Sequence, residues 1–323
     1  MKAVQYQKSG DPDVLTLVET ERPDPAREEV LVEIRAASVN PVDAKIRQSG
    51  PGRLPKTTGS DLAGVVAAVG DGVSDYDVGD RVFATGLHTG RFSGGSFAEF
   101  ATVPTDLLAP LPDDVSFKEG AAVALVGVTA WRALLHHAGL EPVETAFIHG
   151  GNGGVGHVAV GLADTLGSTP VTTARPSHHE MVSELGAETV LDYTRDDLTE
   201  AVREASTGAD VILDHLPETY SELDVEVAAF NGDVVFIAGE TTSLPNAAMA
   251  RSKELDVHLM SMSNLATHAE LPNIGPILDR LGRLLAADRL DVRIDRTHSL
   301  AEAAEAHRAV IEESIAGKIV VVP

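Results

Sequence analysis

Cysteine is absent from all 323 residues. Its absence excludes disulfides, a catalytic thiol and any zinc site built with cysteine. The histidines near the middle of the chain offer no paired spacing typical of a metal site: His136, His137, His149 and His157, with His88 further upstream. A histidine beside a glycine-rich turn more often forms a hydrogen bond or lies at the surface. The sequence therefore predicts a protein that holds no metal.

Lysine is scarce, and acidic residues exceed basic ones by far, giving a net charge of −24. Such a surface repels phosphate backbones, so no nucleic-acid partner is expected. The acid is spread along the chain rather than gathered in a tail, so it does not indicate disorder. A salt-rich cytoplasm would screen this self-repulsion, which suggests a halophilic source as a hypothesis. Equal folding and activity with and without molar KCl would refute it.

Long apolar runs are also missing, since no stretch reaches the roughly 18 apolar residues of a membrane span. The opening segment, MKAVQYQKSGDPD, lacks the apolar run of a signal peptide and resembles a first strand. We therefore expect no membrane association and a cytoplasmic location. The length of 323 residues predicts two domains.

A glycine-rich stretch organises the rest of the chain. An apolar run at 145–148 predicts a buried parallel strand, and helical spacing follows from Val155 to Leu166, with a second strand at 171–173. Between them, Gly151, Gly153 and Gly156 fit the pattern G-x-G-x-x-G, with Asn152, Gly154 and Val155 at the intervening positions. Glycine allows a tight turn and a close approach of the backbone to an anion. The helix start then directs its amides at a pyrophosphate, so we expect a dinucleotide site; a turn without ligand is the alternative.

The end of the second strand indicates which dinucleotide binds. An NAD site usually carries Asp or Glu about 20 residues beyond the glycines. Here the sequence continues TARPSHH, with no carboxylate before Glu180. Arg175 is suited to bind a 2′-phosphate, with Ser177 and His178 as further donors, so NADPH is the expected cofactor. A solvated loop carrying one arginine is the alternative.

The flanking regions differ in pattern. Residues 1–112 show short strands and turns, which predict a β-rich domain. A helical segment follows at 117–138, and strands alternate with helices beyond it, including a helix over 221–230 between two buried strands. This alternation predicts a doubly wound parallel sheet of six strands.

Several motifs together resemble the medium-chain dehydrogenase/reductase superfamily, in the zinc-free quinone oxidoreductase branch that includes zeta-crystallin. They are NPVDAKIR at 40–47, GSDLAGVVAAVGDGV at 59–73, GDRVF at 79–83, GVTAWRAL at 127–134, HGGNGGVG at 149–156 and AEAHRAVIEESIAGKIVVV near the end. The resemblance implies an α/β fold in which a Rossmann domain, 120–264, is inserted in a β-rich GroES-like catalytic domain, 1–119 and 265–323.

The resemblance also assigns roles to single residues. The zinc-ligand positions of the superfamily correspond to Asn40, Ser60 and Leu125, and leucine cannot bind a metal. Asn40 is implied as a residue that contacts both nicotinamide and substrate, with a structural role in the loop before Pro41 as the alternative. Lys45 stands where the branch often has tyrosine, and is either a second catalytic residue or a solvated side chain. Further cofactor contacts are implied for Thr129, Tyr193, Ala238, Gly239 and Glu240.

Without a metal to polarise an alcohol, reduction of an electrophilic acceptor is the expected reaction. The leading interpretation is an NADPH-dependent quinone reductase, and the nearest alternative is a reductase of enones or enoyl compounds. A crystallin-like structural or RNA-binding protein is the alternative from another class. The resemblance further implies a homodimer formed through the edge strand ELDVHLMSMS, 254–263.

Overall fold

A computed structural model describes residues 1–50, 54–87, 94–239, 244–265, 268, 271 and 273–323, and the chain divides into two compact units. The first unit comprises Met1–Val128, Met262–Asp288 and Val292–Pro323, and the second comprises Thr129–Ser261 and Arg289–Asp291. The sequence placed the two boundaries after residues 119 and 264. The structure places them after 128 and 261, with the first inside a helix.

The strands of the described residues are β1 Lys2–Tyr6, β2 Thr16–Glu19, β3 Glu29–Ser38, β4 Lys56–Thr57, β5 Asp61–Val69, β6 Arg81–Ala84, β7 Phe100–Pro104, β8 Leu108–Pro110, β9 Thr145–Ile148, β10 Thr169–Ala174, β11 Thr189–Asp192, β12 Ala209–Asp214, β13 Ala228–Phe236, β14 Asp256–Leu259, β15 Ile294–Ser299 and β16 Lys318–Val322. The α-helices are α1 Pro41–Ser49, α2 Phe117–Trp131, α3 Gly154–Leu166, α4 His179–Glu184, α5 Leu198–Ser206, α6 Pro217–Val227, α7 Ala247–Ser252, α8 Ile274–Ala286 and α9 Ala303–Glu312. A π-helix, Arg132–His137, continues α2.

The second unit is built on a six-stranded sheet in the order β11-β10-β9-β12-β13-β14. Every neighbouring pair in it is parallel. Its core includes the fully buried Phe147 on β9 and Ile212 on β12, whose burial contributes roughly 1.5–3 kcal/mol each. The strand order reverses between β9 and β12, the place where doubly wound sheets bind ligands. The predicted doubly wound sheet is confirmed.

The first unit contains a mainly antiparallel seven-stranded sheet, in the order β15-β16-β3-β5-β6-β8 with β7 beside β3, and a three-stranded sheet β2-β1-β4. The last strand, β16, pairs with the end of β3 through Val321 and Ala37. This pairing brings the end of the chain beside Asn40, the residue at the start of α1. The predicted β-rich, GroES-like domain completed by the chain's end is confirmed.

The helix predicted over 221–230 is wrong in its bounds, because α6 ends at Val227 and β13 begins at Ala228. The ammonium of Lys253 donates to the carbonyls of Val225, Glu226 and Ala228 at 2.8–3.0 Å. These hydrogen bonds satisfy carbonyl groups at the end of α6 and so stabilise the end of the helix at Val227. Lysine lies 25 or more residues away in sequence, so local spacing could not reveal it.

Among the described residues, no helix combines the length and the apolar character needed to cross a lipid bilayer.

Candidate functional site

The glycine turn of the second unit joins β9 to α3 and is anchored on β10. Gly150 has a φ of +66°, a left-handed conformation that glycine adopts without strain. Its amide donates to Thr173 Oγ1 at 3.0 Å, and the amide of Gly151 donates to the carbonyl of Thr173 at 2.8 Å. The turn is therefore held rigidly at the carboxyl end of the sheet, with α3 starting at Gly154.

Two glycines of the turn leave no space for a side chain. A Cβ on Gly156 would lie 2.1 Å from the carbonyl oxygen of Gly150, and a Cβ on Gly151 would lie 2.4 Å from Thr172 Oγ1. Both glycines are buried, whereas the residues from Asn152 to Val155 are partly exposed. This exposed rim and the first amides of α3 form the surface that an anion can reach.

The structure brings two of the predicted cofactor residues, Arg175 and Tyr193, together at the end of β10. Arg175 follows the strand directly and is exposed, and its Nε donates to Tyr193 Oη at 2.7 Å. Tyr193 stands just beyond β11, which pairs with β10 so that Ala174 is opposite Asp192. Contact with Tyr193 orients the guanidinium at the surface, so its side chain has less conformational freedom to lose on binding a ligand.

Two further predicted cofactor residues and one acid also lie at this end of the sheet. Ser177 is exposed and His178 half-buried, in a single turn of helix after Arg175. A carboxylate that sequence spacing missed also lies here, on Asp192. Its Oδ1 accepts the amide and hydroxyl of Thr194, at 2.9 and 2.8 Å, and these bonds hold the pKa of Asp192 below its usual range. The carboxylate of Asp192 thus already accepts two hydrogen bonds within its own turn and has fewer acceptor positions left for another donor.

The remaining cofactor predictions lie on α2 and after β13. Thr129 on α2 is 4% exposed. Ala238 and Gly239 are exposed and follow β13, where Gly239 packs against Pro217 closely enough to exclude a Cβ. Glu240 lies outside the described residues. The structure thus places the glycine turn, Arg175, Ser177, His178, Tyr193, Ala238 and Gly239 in the second unit, and Asn40 in the first.

In the first unit, Asn40 is buried in a polar network and is only 1% exposed. Its Oδ1 accepts from Lys318 Nζ at 2.6 Å, and its Nδ2 donates to Asp61 Oδ2 at 2.8 Å. An ammonium only donates and a carboxylate only accepts, so these partners fix the orientation of the amide. Both ends of the amide are used inside the unit. These bonds fit the structural alternative for Asn40, and a contact of Asn40 with nicotinamide or substrate stays a prediction.

Asp61 is the acceptor at the centre of this network. Its Oδ2 also accepts from Ser38 Oγ at 2.6 Å, and its Oδ1 accepts from Thr85 Oγ1 at 2.6 Å. Burial raises the pKa of Asp61, opposed by Lys318 and by the hydrogen bonds. Burial likewise lowers the pKa of Lys318, which also donates to the carbonyl of Val39 at 2.7 Å.

Asp43 adds a second buried acid to the same network. Its Oδ2 accepts the backbone amide of Asn40 at 2.9 Å, at the start of α1. Burial, followed by the charge of Asp61, raises the pKa of Asp43 to about 7, while the amide and Lys318 oppose the shift. Sequence analysis singled out neither Lys318 nor the two acids. They lie in the motifs AGKIVVV, GSDLAG and NPVDAKIR. These motifs carried the family resemblance, but they did not indicate which side chains contact one another.

Lys45, the second predicted catalytic residue, is exposed on α1. The side chain lies outside the buried network, because Lys45 comes two residues after Asp43 and so projects from the other side of α1. It is therefore available to solvent or to a bound molecule.

A zinc ion does not fit the positions that the superfamily uses for one. Leu125 offers no ligand atom, and the amide oxygen of Asn40 already faces the ammonium of Lys318, whose charge opposes a cation. Ser60 Oγ lies 3.4 Å from Thr85 Oγ1. These three positions therefore do not form a set of zinc ligands.

The described ranges contain one group of three side chains close enough to share an ion: His298, Glu302 and Glu305. In that group, Glu302 accepts the backbone amide and hydroxyl of Ser299 at 2.8 and 2.6 Å, which is a helix cap rather than a binding arrangement.

Comparison with known proteins gives a consistent result. The family described as "Alcohol dehydrogenase GroES-like domain" matches residues 26–113, and that described as "Zinc-binding dehydrogenase" matches residues 185–321. Mouse quinone oxidoreductase is 32% identical, with 97% of this chain and 95% of that protein covered.

Solved structures resemble the chain over its full length. An Escherichia coli quinone oxidoreductase complexed with NADPH has a TM-score of 0.88 at 26% identity, with all of both chains covered. A structure described as an NAD-dependent alcohol dehydrogenase has a TM-score of 0.91 at 26% identity, also with all of both chains covered. One of these similar structures contains NADPH and the other is described as NAD-dependent. The overall fold therefore does not distinguish the two cofactors, and the choice between them depends on the residues at the site.

Proposed function

The chain belongs to the zinc-independent quinone oxidoreductase branch of the medium-chain dehydrogenase/reductase superfamily, and on that premise we propose that it transfers a hydride from NADPH to a quinone without a metal. The observation that carries the proposal is the closed glycine turn together with the contact between Arg175 and Tyr193. The turn suits a pyrophosphate, and an exposed guanidinium at the end of β10 suits a 2′-phosphate.

NADPH supplies the hydride when bound, so the residues of the chain need to bind, orient and exclude water. The rim from Asn152 to Val155 would hold the pyrophosphate, and Arg175 with Ser177 and His178 would hold the 2′-phosphate. Asn40 acts in this proposal by position, since its bonds to Lys318 and Asp61 fix the backbone before α1. Most of the rate enhancement then comes from orientation of the two reactants.

Reduction of an enone is the second candidate, and the exposure of Lys45 favours it. An enolate oxygen carries localised charge that an ammonium can stabilise. Separate assays with a quinone and an enone, each followed by the loss of NADPH absorbance, distinguish the two. We expect faster turnover of the quinone. Turnover of the enone alone would contradict the proposal, and NADPH binding without turnover of either would favour a binding protein.

Replacing Arg175 with alanine should remove a charge-assisted contact worth roughly 1.5–3 kcal/mol. NADPH affinity should fall by about tenfold or more, and NADH affinity should change little, since NADH lacks the 2′-phosphate. Fluorescence titration of each cofactor measures both. Arg195→Ala is the matched control, because Arg195 is already paired with Asp197 at 2.6 and 2.8 Å beyond β11. Equal losses for the two cofactors would refute the assignment.

Exhaustive treatment with a chelator should leave the activity unchanged, because Leu125 and the ammonium beside Asn40 disfavour a catalytic metal. Elemental analysis of the purified protein should find no stoichiometric zinc. One tightly bound zinc per chain, lost together with activity, would overturn this part of the proposal.

We further propose a homodimer that pairs through β14, the last strand of the six-stranded sheet. Leu259 on this strand is 70% exposed and Val257 is 36% exposed, and such an edge is a liability unless it is covered. Met262 does not belong to the strand, since a turn of helix begins there.

Sedimentation of the wild type should give a dimer at micromolar concentration, and Leu259→Glu should shift it to monomer. Val143→Glu is the control, because Val143 is 87% exposed in the turn before β9, away from the edge. A monomeric wild type would count against pairing through this strand.

A further inference from the structure

A group of buried acids and histidines lies directly beneath the glycine turn in the second unit. His149 follows β9 and precedes Gly150, Asp214 ends β12, and Asp224 lies in the middle of α6. Each of the three side chains is 1% exposed or less. Because β9 and β12 are the two strands at which the strand order reverses, the group forms the floor of the expected pyrophosphate site.

The hydrogen bonds of this group leave two carboxylate oxygens without a partner. His149 Nε2 lies 2.7 Å from Asp224 Oδ1, and the amide of Leu216 donates to Asp214 Oδ1 at 2.6 Å. The buried atoms Asp214 Oδ2 and Asp224 Oδ2 have no other partner, and the two carboxyl groups interact with each other. Two carboxylates cannot bond without a proton, and a single proton between these oxygens satisfies both.

The surroundings favour this protonated pair at neutral pH. Burial raises the pKa of Asp224 to about 8 and that of Asp214 to about 7. Burial lowers the pKa of His149 to about 4, so the imidazole is neutral and Nε2 donates its hydrogen to Asp224. His215, from the end of β12, also has its pKa lowered to about 4 by burial. Tyr220 of α6 stacks on His149 with ring centroids 4.5 Å apart.

The pair is coupled to the turn by direct packing. A Cβ on Gly150 would lie 2.8 Å from His215 Cε1, so the imidazole of His215 supports the left-handed residue of the turn. The amide of His149 donates to the carbonyl of Leu213 at 3.1 Å, which ties the start of the turn to β12. A shift of Asp214 or Asp224 therefore reaches the turn through these two histidines.

We propose that Asp214 and Asp224 are positioning residues that share one proton, and that this proton sets the shape and charge of the floor beneath the cofactor's pyrophosphate. The inference rests on the proposed cofactor site and is independent of the acceptor. Loss of the proton leaves two facing carboxylates and adds a negative charge near a bound anion. Cofactor affinity should therefore fall as the pH rises, and binding at alkaline pH should take up a proton.

The same linkage fixes the sign of the effect on stability. Both acids have their pKa raised above the ordinary value of about 3.9, so the folded chain holds the proton more tightly than the unfolded chain. The stabilisation is fully present at acidic pH and is lost as the pH rises through about 8.

The wild type alone provides the first test. Calorimetric titration with NADPH at about pH 8, in buffers of different ionisation enthalpy, should show uptake of roughly half a proton per site. The dissociation constant should rise about tenfold between roughly pH 7 and 9.5. NADH, which lacks the 2′-phosphate, should behave alike and so exclude titration of that phosphate. No uptake together with a flat profile would overturn the inference.

Asp224→Asn provides the second test, because an amide can accept from His149 and donate to Asp214 without a titrating proton. We expect cofactor affinity at neutral pH within about threefold of the wild type, no proton uptake and a flat pH profile. Asp196→Asn is the control, since it removes an exposed acid of the same unit and should keep the wild-type uptake. If Asp224→Asn does not fold, Asp214→Asn removes the same proton from the other side.

The outcomes separate this inference from the proposed function. Unchanged uptake in the asparagine variants would overturn the shared proton while leaving the reductase intact. Normal uptake on NADPH binding with no acceptor reduced would support the shared proton and refute the reductase. A wild type that binds neither cofactor would overturn both.

Discussion

Replacing Lys318 with methionine is expected to lower the free energy of unfolding by about 3–5 kcal/mol, the usual cost of removing one partner from a buried charge network. Lys318 is 3% exposed, and its ammonium donates to the carbonyl of Val39 and to Asn40 Oδ1. Its charge also opposes the raised pKa of Asp61 and Asp43. Methionine keeps an unbranched stem but removes the positive charge of Lys318 from Asp61 and Asp43 and takes its donor away from the amide oxygen of Asn40.

Chemical denaturation of the full chain, followed by circular dichroism, measures this loss. Lys118→Met, at an exposed position of α2, is the control and should lie within about 0.5 kcal/mol of the wild type. The loss should be smaller at about pH 5 than at about pH 8, because Asp61 and Asp43 can take up protons at the lower pH once the charge of Lys318 is gone. A Lys318→Met protein as stable as the wild type would show that the network contributes nothing.

Replacing Gly156 with alanine is expected to weaken the binding of NADPH and NADH alike by about tenfold to a hundredfold. The three atoms nearest to the new Cβ all belong to the backbone: the carbonyl oxygen and carbon of Gly150 at 2.1 and 2.7 Å, and the Cα of Gly151 at 3.0 Å. Because these clashes are with the backbone, no side-chain rotation can relieve them, and α3 must move from the turn. Such overpacking also costs about 1–3 kcal/mol of stability.

Fluorescence titration with both cofactors tests this expectation. Gly161→Ala is the matched control in the same helix, because its Cβ would meet the end of the Leu290 side chain at 3.1 Å, which can adjust. Alanine also has the higher helix propensity, so this control should bind normally. Unchanged NADPH affinity in Gly156→Ala would mean that the turn does not hold the pyrophosphate. Loss for both cofactors separates this effect from that of Arg175→Ala.

The fold was predictable where the signal is local. The strand at 145–148, the glycines and the helix to Leu166 carry their pattern within one short stretch, and the structure shows β9, the turn and α3 there. The edge strand was expected to reach residue 263, but β14 ends at Leu259. The pattern alone did not mark this end, because the apolar residues continue past the last pairing with β13.

The candidate site was predictable only in part, because its contacts join distant residues. Arg175 and Tyr193 were each expected near the cofactor, but their hydrogen bond depends on the pairing of β10 with β11. The bond between Asn40 and Lys318 spans 278 residues and depends on the pairing of β16 with β3. A pattern identifies the kind of residue at a position, whereas burial and partners follow from the tertiary structure.

His149 shows the same limit on a smaller scale. Beside a glycine turn, a histidine was expected to form a hydrogen bond or to lie at the surface; the structure shows the hydrogen bond, but its partner, the buried Asp224, was not predicted. The acid comes from α6, 75 residues away. Only the crossing from β9 to β12 brings the two together.

The most direct test of the central claim is kcat/KM of the chelator-treated protein with one quinone, measured with NADPH and with NADH. We expect hydroquinone and oxidised cofactor in equal amounts, and a kcat/KM with NADPH at least about tenfold above that with NADH. Equal or greater efficiency with NADH, or a return of activity only when zinc is added, would contradict the proposal of metal-free, NADPH-dependent quinone reduction.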